Sequence, residues 1–231
     1  MDDDNDTETY ILLLLSDGNL PTGSFVASSG LESYVKHGFS SLSSPGSAII
    51  DFIRDSLESY ARSALPFISD AHRAVKTFAL EDETNEDGEE KFYDVLRTLT
   101  DLDELYQSIT LNHVTRRASM SQGVALLTLY SKGFSRTPSL SSFSGTETKD
   151  HEDRMKILLE LFKTKVRKEE VFGHLPICWG ILTAALGLTL GKLSLFPCPS
   201  MYVSASCCRT CPISSPLPSC QESPLSFCSF E

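Results

Sequence analysis

The side chains in this chain that could do chemistry fall into three groups: cysteines near the C-terminus, scattered histidines, and a few charged residues on helical stretches. Six of the seven cysteines (Cys198, Cys207, Cys208, Cys211, Cys220 and Cys228) lie in the last part of the chain, and Cys208-Arg209-Thr210-Cys211 is a CxxC pair. Thiolates at that spacing suit zinc or another soft metal, but a structural zinc site draws on two such pairs across a short spacer, and here there is one, in a biased tail. His37, His72, His113, His151 and His174 form no HxH, HxxxH or HExxH pattern and read as surface or capping groups. His174 stands apart because it precedes an apolar helix, where it could cap that helix or touch a partner. Glu32 has the chemistry of a general base, yet no nucleophile or second carboxylate accompanies it, so it reads as a structural or interface residue. Ser24, Ser28 and Ser29 are not in a GxSxG elbow, and no phosphate-binding GxxxxGK[ST] loop or GxGxxG turn occurs. Arg116-Arg117 could supply an arginine finger to another protein's phosphate site, although solvated charge is the ordinary role of such a pair on a helix. No catalytic residue, bound metal or cofactor is expected.

These groups are carried by a chain of 231 residues with 41% hydrophobic and 22% charged residues, enough to bury a core without disulfides. Its formal net charge of −11 argues against a nucleic-acid partner, which needs clustered Lys and Arg, and favours a basic or cationic one. The acidic start MDDDNDTETY is the reverse of a signal peptide's basic region, and the apolar run after it is too short to span a bilayer. The body of the chain holds only Cys178, as a reduced compartment requires, and a cytoplasmic protein is expected.

Residues 1–9 read as a disordered acidic tail, and ILLLLS after Tyr10 as a short helix or a strand. Asp17-Gly18-Asn19, Pro21 and Gly23 supply a turn, and Ser24 caps a helix from Phe25 to about Lys36 that carries the small residues Ser28, Ser29 and Gly30. Ile49, Phe52, Ile53, Leu57, Tyr60 and Ala64 mark a helix that breaks or kinks at Pro66, with another over Phe67 to Leu80. After the acidic insert 81–90, Phe92 to Leu99 and then Leu102, Leu105 and Ile109 continue the helical spacing. The next helix has Val114, Ala118, Val124, Leu127 and Tyr130 on its apolar side, and Ala118, Ser119, Ser121 and Gly123 as a low-profile patch. A Ser/Thr-rich insert covers 134–150, followed by a helix with Met155, Leu158, Leu159, Phe162 and Val166. From Ile177 to Leu190 the sequence is apolar all round, which means a central core helix or a membrane segment, and its fourteen residues favour the core.

Three segments together resemble the UreF family of urease accessory proteins. LLLLSDGNLPTGSFVASSGLE is similar to the family's opening pattern, at Asp17, Leu20, Pro21, Gly23, Phe25, Ser28, Gly30, Leu31 and Glu32. LDELYQSITLNHVTRRASMSQGVALL resembles its middle helix pair, at Leu102, Asp103, Arg116, Ser119 and Gly123, and GHLPICWGILTAALGL its small-residue helix, at His174, Pro176, Gly180 and Gly187. The resemblance implies an all-α, single-domain helical bundle over residues 10–191, with disordered tails at both ends. It also implies a non-enzymatic scaffold that dimerises, binds a UreD/UreH-type protein, recruits the GTPase UreG, and helps deliver nickel to apo-urease. The opening turn and Gly30 would then let the N-terminal helix pack against the small-residue patches at 118–123 and 180–187.

The Pro/Ser/Cys-rich tail, 192–231, departs from the family pattern and reads as out-of-family sequence from a retained intron or a misassigned last exon. Without the family's further helices, Trp179, Ile181 and Leu182 would be exposed. Two other classes remain open: an unrelated helical adaptor with a metal-binding Cys-rich tail, and a membrane protein anchored through Ile177 to Leu195.

Overall fold

The apolar periodicities are realised as helices. The computed structural model describes residues 2–15, 31–37, 45–80, 88–134 and 146–190, and no strand occurs among them. The order is α1 (Asp2–Leu15), α2 (Leu31–Lys36), α3 (Pro45–Leu80), α4 (Gly88–Ile109), α5 (His113–Leu129) running on into a π turn at Tyr130–Phe134, α6 (Thr146–Arg167) and α7 (Leu175–Ala185). The fold is an all-α bundle around α7, which packs most extensively against α3, then α5, and also touches α4 and α6.

The apolar character of α7 dictates that central place. Every residue from Leu175 to Ala184 is buried, so no face is left for solvent. Each large side chain among them contributes about 1.5–3 kcal/mol through removal from water. Pro176 sits in the first turn, where a missing N–H costs nothing. Trp179, Ile181 and Leu182 are 2%, 0% and 0% exposed, so the apolar surface expected to lie open is covered. No helix among the described residues is long and apolar enough to cross a membrane, and α7 has only eleven residues.

Several sequence expectations are corrected. Helix α1 begins at Asp2 and takes in the acidic residues 2–9. Carboxylates in the first turns are favoured by the positive end of the helix dipole. Buried Leu12 and Leu15 anchor the other end, and Glu8 accepts hydrogen bonds from the backbone N–H of Thr189 and, at 2.7 Å, from its hydroxyl. Helix α3 runs through Pro66 without ending there. Pro66 lies on the exposed side, where water can satisfy the carbonyl that the missing N–H leaves free. The ends of both polar inserts are helical, residues 88–90 opening α4 and 146–150 opening α6, while residues 81–87 and 135–145 lie outside the described residues.

The buried face of α5 is also rotated from the expected one. Val114 and Val124 are exposed, and the inward residues are Ser119, Gln122, Gly123, Leu126 and Leu127, continuing to Tyr130. Backbone proximity, rather than hydropathy, selects that face: small residues admit a neighbour that valine would hold away.

Gly180 shows the same preference in α7. A Cβ there would lie 2.7 Å from both Ala71 Cβ and the Ile68 carbonyl oxygen on α3. Gly180→Ala should therefore cost about 1–3 kcal/mol in denaturant unfolding, because two backbones must separate. Gly133→Ala is the control, since its Cβ would meet only Leu129 Cδ1 at 3.9 Å, and it should be neutral or slightly stabilising.

Candidate functional site

A buried helix creates a problem at its own N-terminus: the first amide groups have no intrahelical acceptor and no water. His174 occupies the N-cap position of α7 with an extended backbone, but its side chain makes no capping bond. The acceptor comes from another helix. Asp103 of α4 is fully buried; its Oδ2 accepts from Phe172 N at 2.7 Å and Gly173 N at 2.9 Å, and its Oδ1 from His174 N at 2.8 Å. Gly173 supplies the left-handed backbone this approach needs, at φ +73°. Burial pushes the Asp103 carboxyl above the usual carboxylate range, and the three N–H donors pull it back.

The fourth amide, Leu175 N, donates to Ser119 Oγ of α5 at 3.1 Å. The Gln107 contact sets the proton order of the cluster: its Oε1 can only accept, so His174 Nε2–H donates to it at 2.8 Å, and Nδ1 of the neutral ring accepts from the Ser119 hydroxyl 3.2 Å away. The histidine is thus a neutral bridge between α4 and α5. Burial first, then the charge of Arg116, lowers its pKa from the ordinary 6.5 to about 4. The Tyr106 ring packs edge-on to it at 5.1 Å.

Close backbone approach completes the junction. A Cβ on Gly123 would lie 2.1 Å from the Gly173 carbonyl oxygen and 2.9 Å from Cys178 Sγ, so only glycine fits. Cys178 is a buried free thiol whose pKa burial raises far above its usual value, with the Asp103 charge adding to the shift. It is therefore neither a nucleophile nor a thiolate ligand. Arg116 is half-buried, and its Nε donates to the Thr110 carbonyl oxygen.

The sequence-predicted residues divide clearly. Ser119 on α5 bonds to His174 at the start of α7, Gly123 meets Gly173 and Cys178, the Arg116 charge acts on His174, Pro176 is buried in the first turn of α7, and Gly180 of α7 meets α3. Leu31 opens α2 half-buried, and Glu32 follows it in that helix. Asp17, Leu20, Pro21, Gly23, Phe25, Ser28 and Gly30 lie outside the described residues, as does the tail after 190. Gly123 receives the Gly173 backbone and Gly180 receives α3, while the turn and Gly30, through which the N-terminal helix was expected to reach the small-residue patches, lie outside the described residues.

A second buried histidine, His72 on α3, corrects the expectation of a surface group. It is 0% exposed, and its Nδ1 lies 3.2 Å from Thr183 Oγ1 of α7. The threonine hydroxyl donates to the Trp179 carbonyl oxygen at 2.8 Å, so it accepts from His72 Nδ1–H. Burial, then the charges of Lys76 and Arg73, lower its pKa to about 4.

Sequence reasoning named Asp103 only as a position of the family resemblance and did not single out Gln107. For Asp103 the signal was present: with Leu96, Leu99 and Tyr106 it lies at inward helical spacing, a carboxylate where the pattern calls for an apolar residue.

Comparison with known proteins places these contacts in a family. The UreF family model matches residues 46–196, which include every residue of the junction from Asp103 to Cys178. The chain belongs to the UreF family. It is 36% identical over 208 residues to "Urease accessory protein 6" of Cryptococcus neoformans var. grubii, covering 80% of this chain and 65% of that protein. It is 28% identical over 189 residues to an uncharacterized UreF-like urease accessory protein of Schizosaccharomyces pombe, covering 82% and 65%. Against "Urease accessory protein F" of Oryza sativa subsp. indica it is 30% identical over 132 residues, covering 57% and 42%. The chain thus spans less than two thirds of the length of the two fungal relatives. No solved structure matches the chain significantly.

Two outcomes test this UreF-family junction. Asp103→Ala leaves three N–H groups, two of them on the buried residues Gly173 and His174, without their acceptor and should cost on the order of 3 kcal/mol in chemical unfolding. Stability should also fall as pH drops from 6.5 towards 4, because the unfolded histidines protonate in that window while His72 and His174 stay neutral. The slope reaches about 1.4 kcal/mol per pH unit for each histidine, and His174→Gln should remove its share.

Proposed function

We propose that this chain is a non-catalytic scaffold in urease maturation. It links a UreD/UreH-type accessory protein to the GTPase UreG, dimerises, and as part of that assembly passes nickel, the cargo, to apo-urease in the cytoplasm. The observation that carries this reading is the UreF family match over residues 46–196. The names of the matched relatives, urease accessory proteins of fungi and rice, support it.

The chemistry of the junction is in keeping with such a role. Both ring nitrogens of His174 are engaged inside the protein, Asp103 is saturated by backbone donors, and Cys178 is held as a thiol. Each polar group is used to fix helices relative to one another, which is what a scaffold needs. The sequence has no phosphate-binding loop, so in this reading the GTP hydrolysis belongs to UreG.

The test is size-exclusion chromatography of the purified full chain mixed with the UreD/UreH-type protein and UreG from the same source. Co-elution is expected, and it should survive deletion of residues 192–231, whereas an adaptor acting through its Cys-rich tail would lose its ligand with the tail. If neither protein co-elutes with either form, the reading fails.

A further inference from the structure

The corner between α4 and α5 combines two properties that the rest of the described surface does not. Leu111, at its tip, is 84% exposed, more than any other large apolar side chain described, and Leu105, Ile109 and Val114 around it are each about half exposed. From Leu105 to Ser131 the only side chains with a formal charge at pH 7 are Arg116 and Arg117, in a chain whose net charge is −11. Asp101 and Glu104 bound the patch on its α4 side, so its positive half is the α5 side.

The corner is also held rigid. Thr110 N and Oγ1 both donate to the Tyr106 carbonyl oxygen, at 3.1 and 2.9 Å. The Asn112 side chain caps α5 by accepting from Val114 N at 2.9 Å, the Asn112 backbone carbonyl oxygen accepts from Arg116 N at 3.0 Å, and Arg116 Nε is tied to the Thr110 carbonyl oxygen. Apolar side chains presented on a pre-ordered turn lose little conformational freedom when a partner covers them. Exposed aliphatic area beside arginine is the composition of an interface core and its hot spots.

We propose that this corner docks a partner protein that presents an apolar patch flanked by carboxylates. The charge argues for the carboxylates, since Arg117 is exposed and a guanidinium pairs best with a planar acid. It also argues against a second copy bound symmetrically, which would set arginine near arginine. A second copy could meet the corner only through a different, acidic surface, a contact that does not close on itself. The proposal rests on the scaffold reading above, and it names the surface by which the chain meets one of its assembly partners.

The experiment measures the affinity of the full chain for the purified UreD/UreH-type protein and for UreG, at low and high salt, with Leu111→Asp and Arg117→Glu as variants. Both side chains are exposed, so thermal unfolding should match the wild type. Leu111→Asp should weaken binding to one of the two proteins by at least about tenfold. Arg117→Glu should weaken the same interaction and flatten its salt dependence. Wild-type affinity and salt dependence of both variants towards both proteins would overturn the docking proposal alone. Failure of the unaltered chain to bind either protein would overturn the scaffold reading together with it.

Discussion

One carboxylate carries the architecture. Asp103 accepts three consecutive backbone N–H groups at the start of a helix that has no solvent-facing side. A helix this apolar gains from complete burial, but burial strands its first amides, and each would cost about 1–3 kcal/mol if left without an acceptor. A local cap would solve the problem within α7. Here the acceptor comes from α4, and Ser119 of α5 takes the next amide, so capping the central helix also fixes the helices around it. His174, placed at the cap position but facing sideways, closes the link between Gln107 and Ser119.

The second constraint is distance. A carboxylate can reach three amides only if the backbone ahead of α7 comes close to α4 and α5, and Gly123 and Gly173 permit that approach. Gly180 does the same for α3. The small residues of this chain are therefore where polar satisfaction and close packing meet, which accounts for their place at inward positions where larger apolar residues would bury more area.

Much of this was legible in the sequence. Helical periodicity located α3 to α7, and the apolar run at 177–190 identified a buried helix because it was too short for a bilayer. The inward use of Ser119, Gly123 and Gly180 followed from their size. The rest was hidden for physical reasons. Pro66 reads as a break, but on an exposed helix face the carbonyl it leaves free is open to water. Val114 and Val124 look like core, yet the close approach at Gly123 turns α5 away from them. His72 read as a surface or capping group and Asp103 only as a position of the family resemblance, because what makes them internal, a threonine hydroxyl and a set of amides, lies about seventy or more positions further along the chain.

The UreF family assignment and the junction bear on each other, since two of the three segments that carry the family resemblance are the ones Asp103, Ser119 and His174 bring together. The central claim is that the amides of residues 172–174 are tied to the buried Asp103 carboxylate and do not belong to an open loop. Amide hydrogen exchange of the full chain, resolved by residue, tests it most directly. Phe172, Gly173 and His174 should exchange as slowly as the amides in the middle of α7, although they lie outside any helix. Exchange at the rate of an open loop, with the α7 amides still protected, would contradict the account.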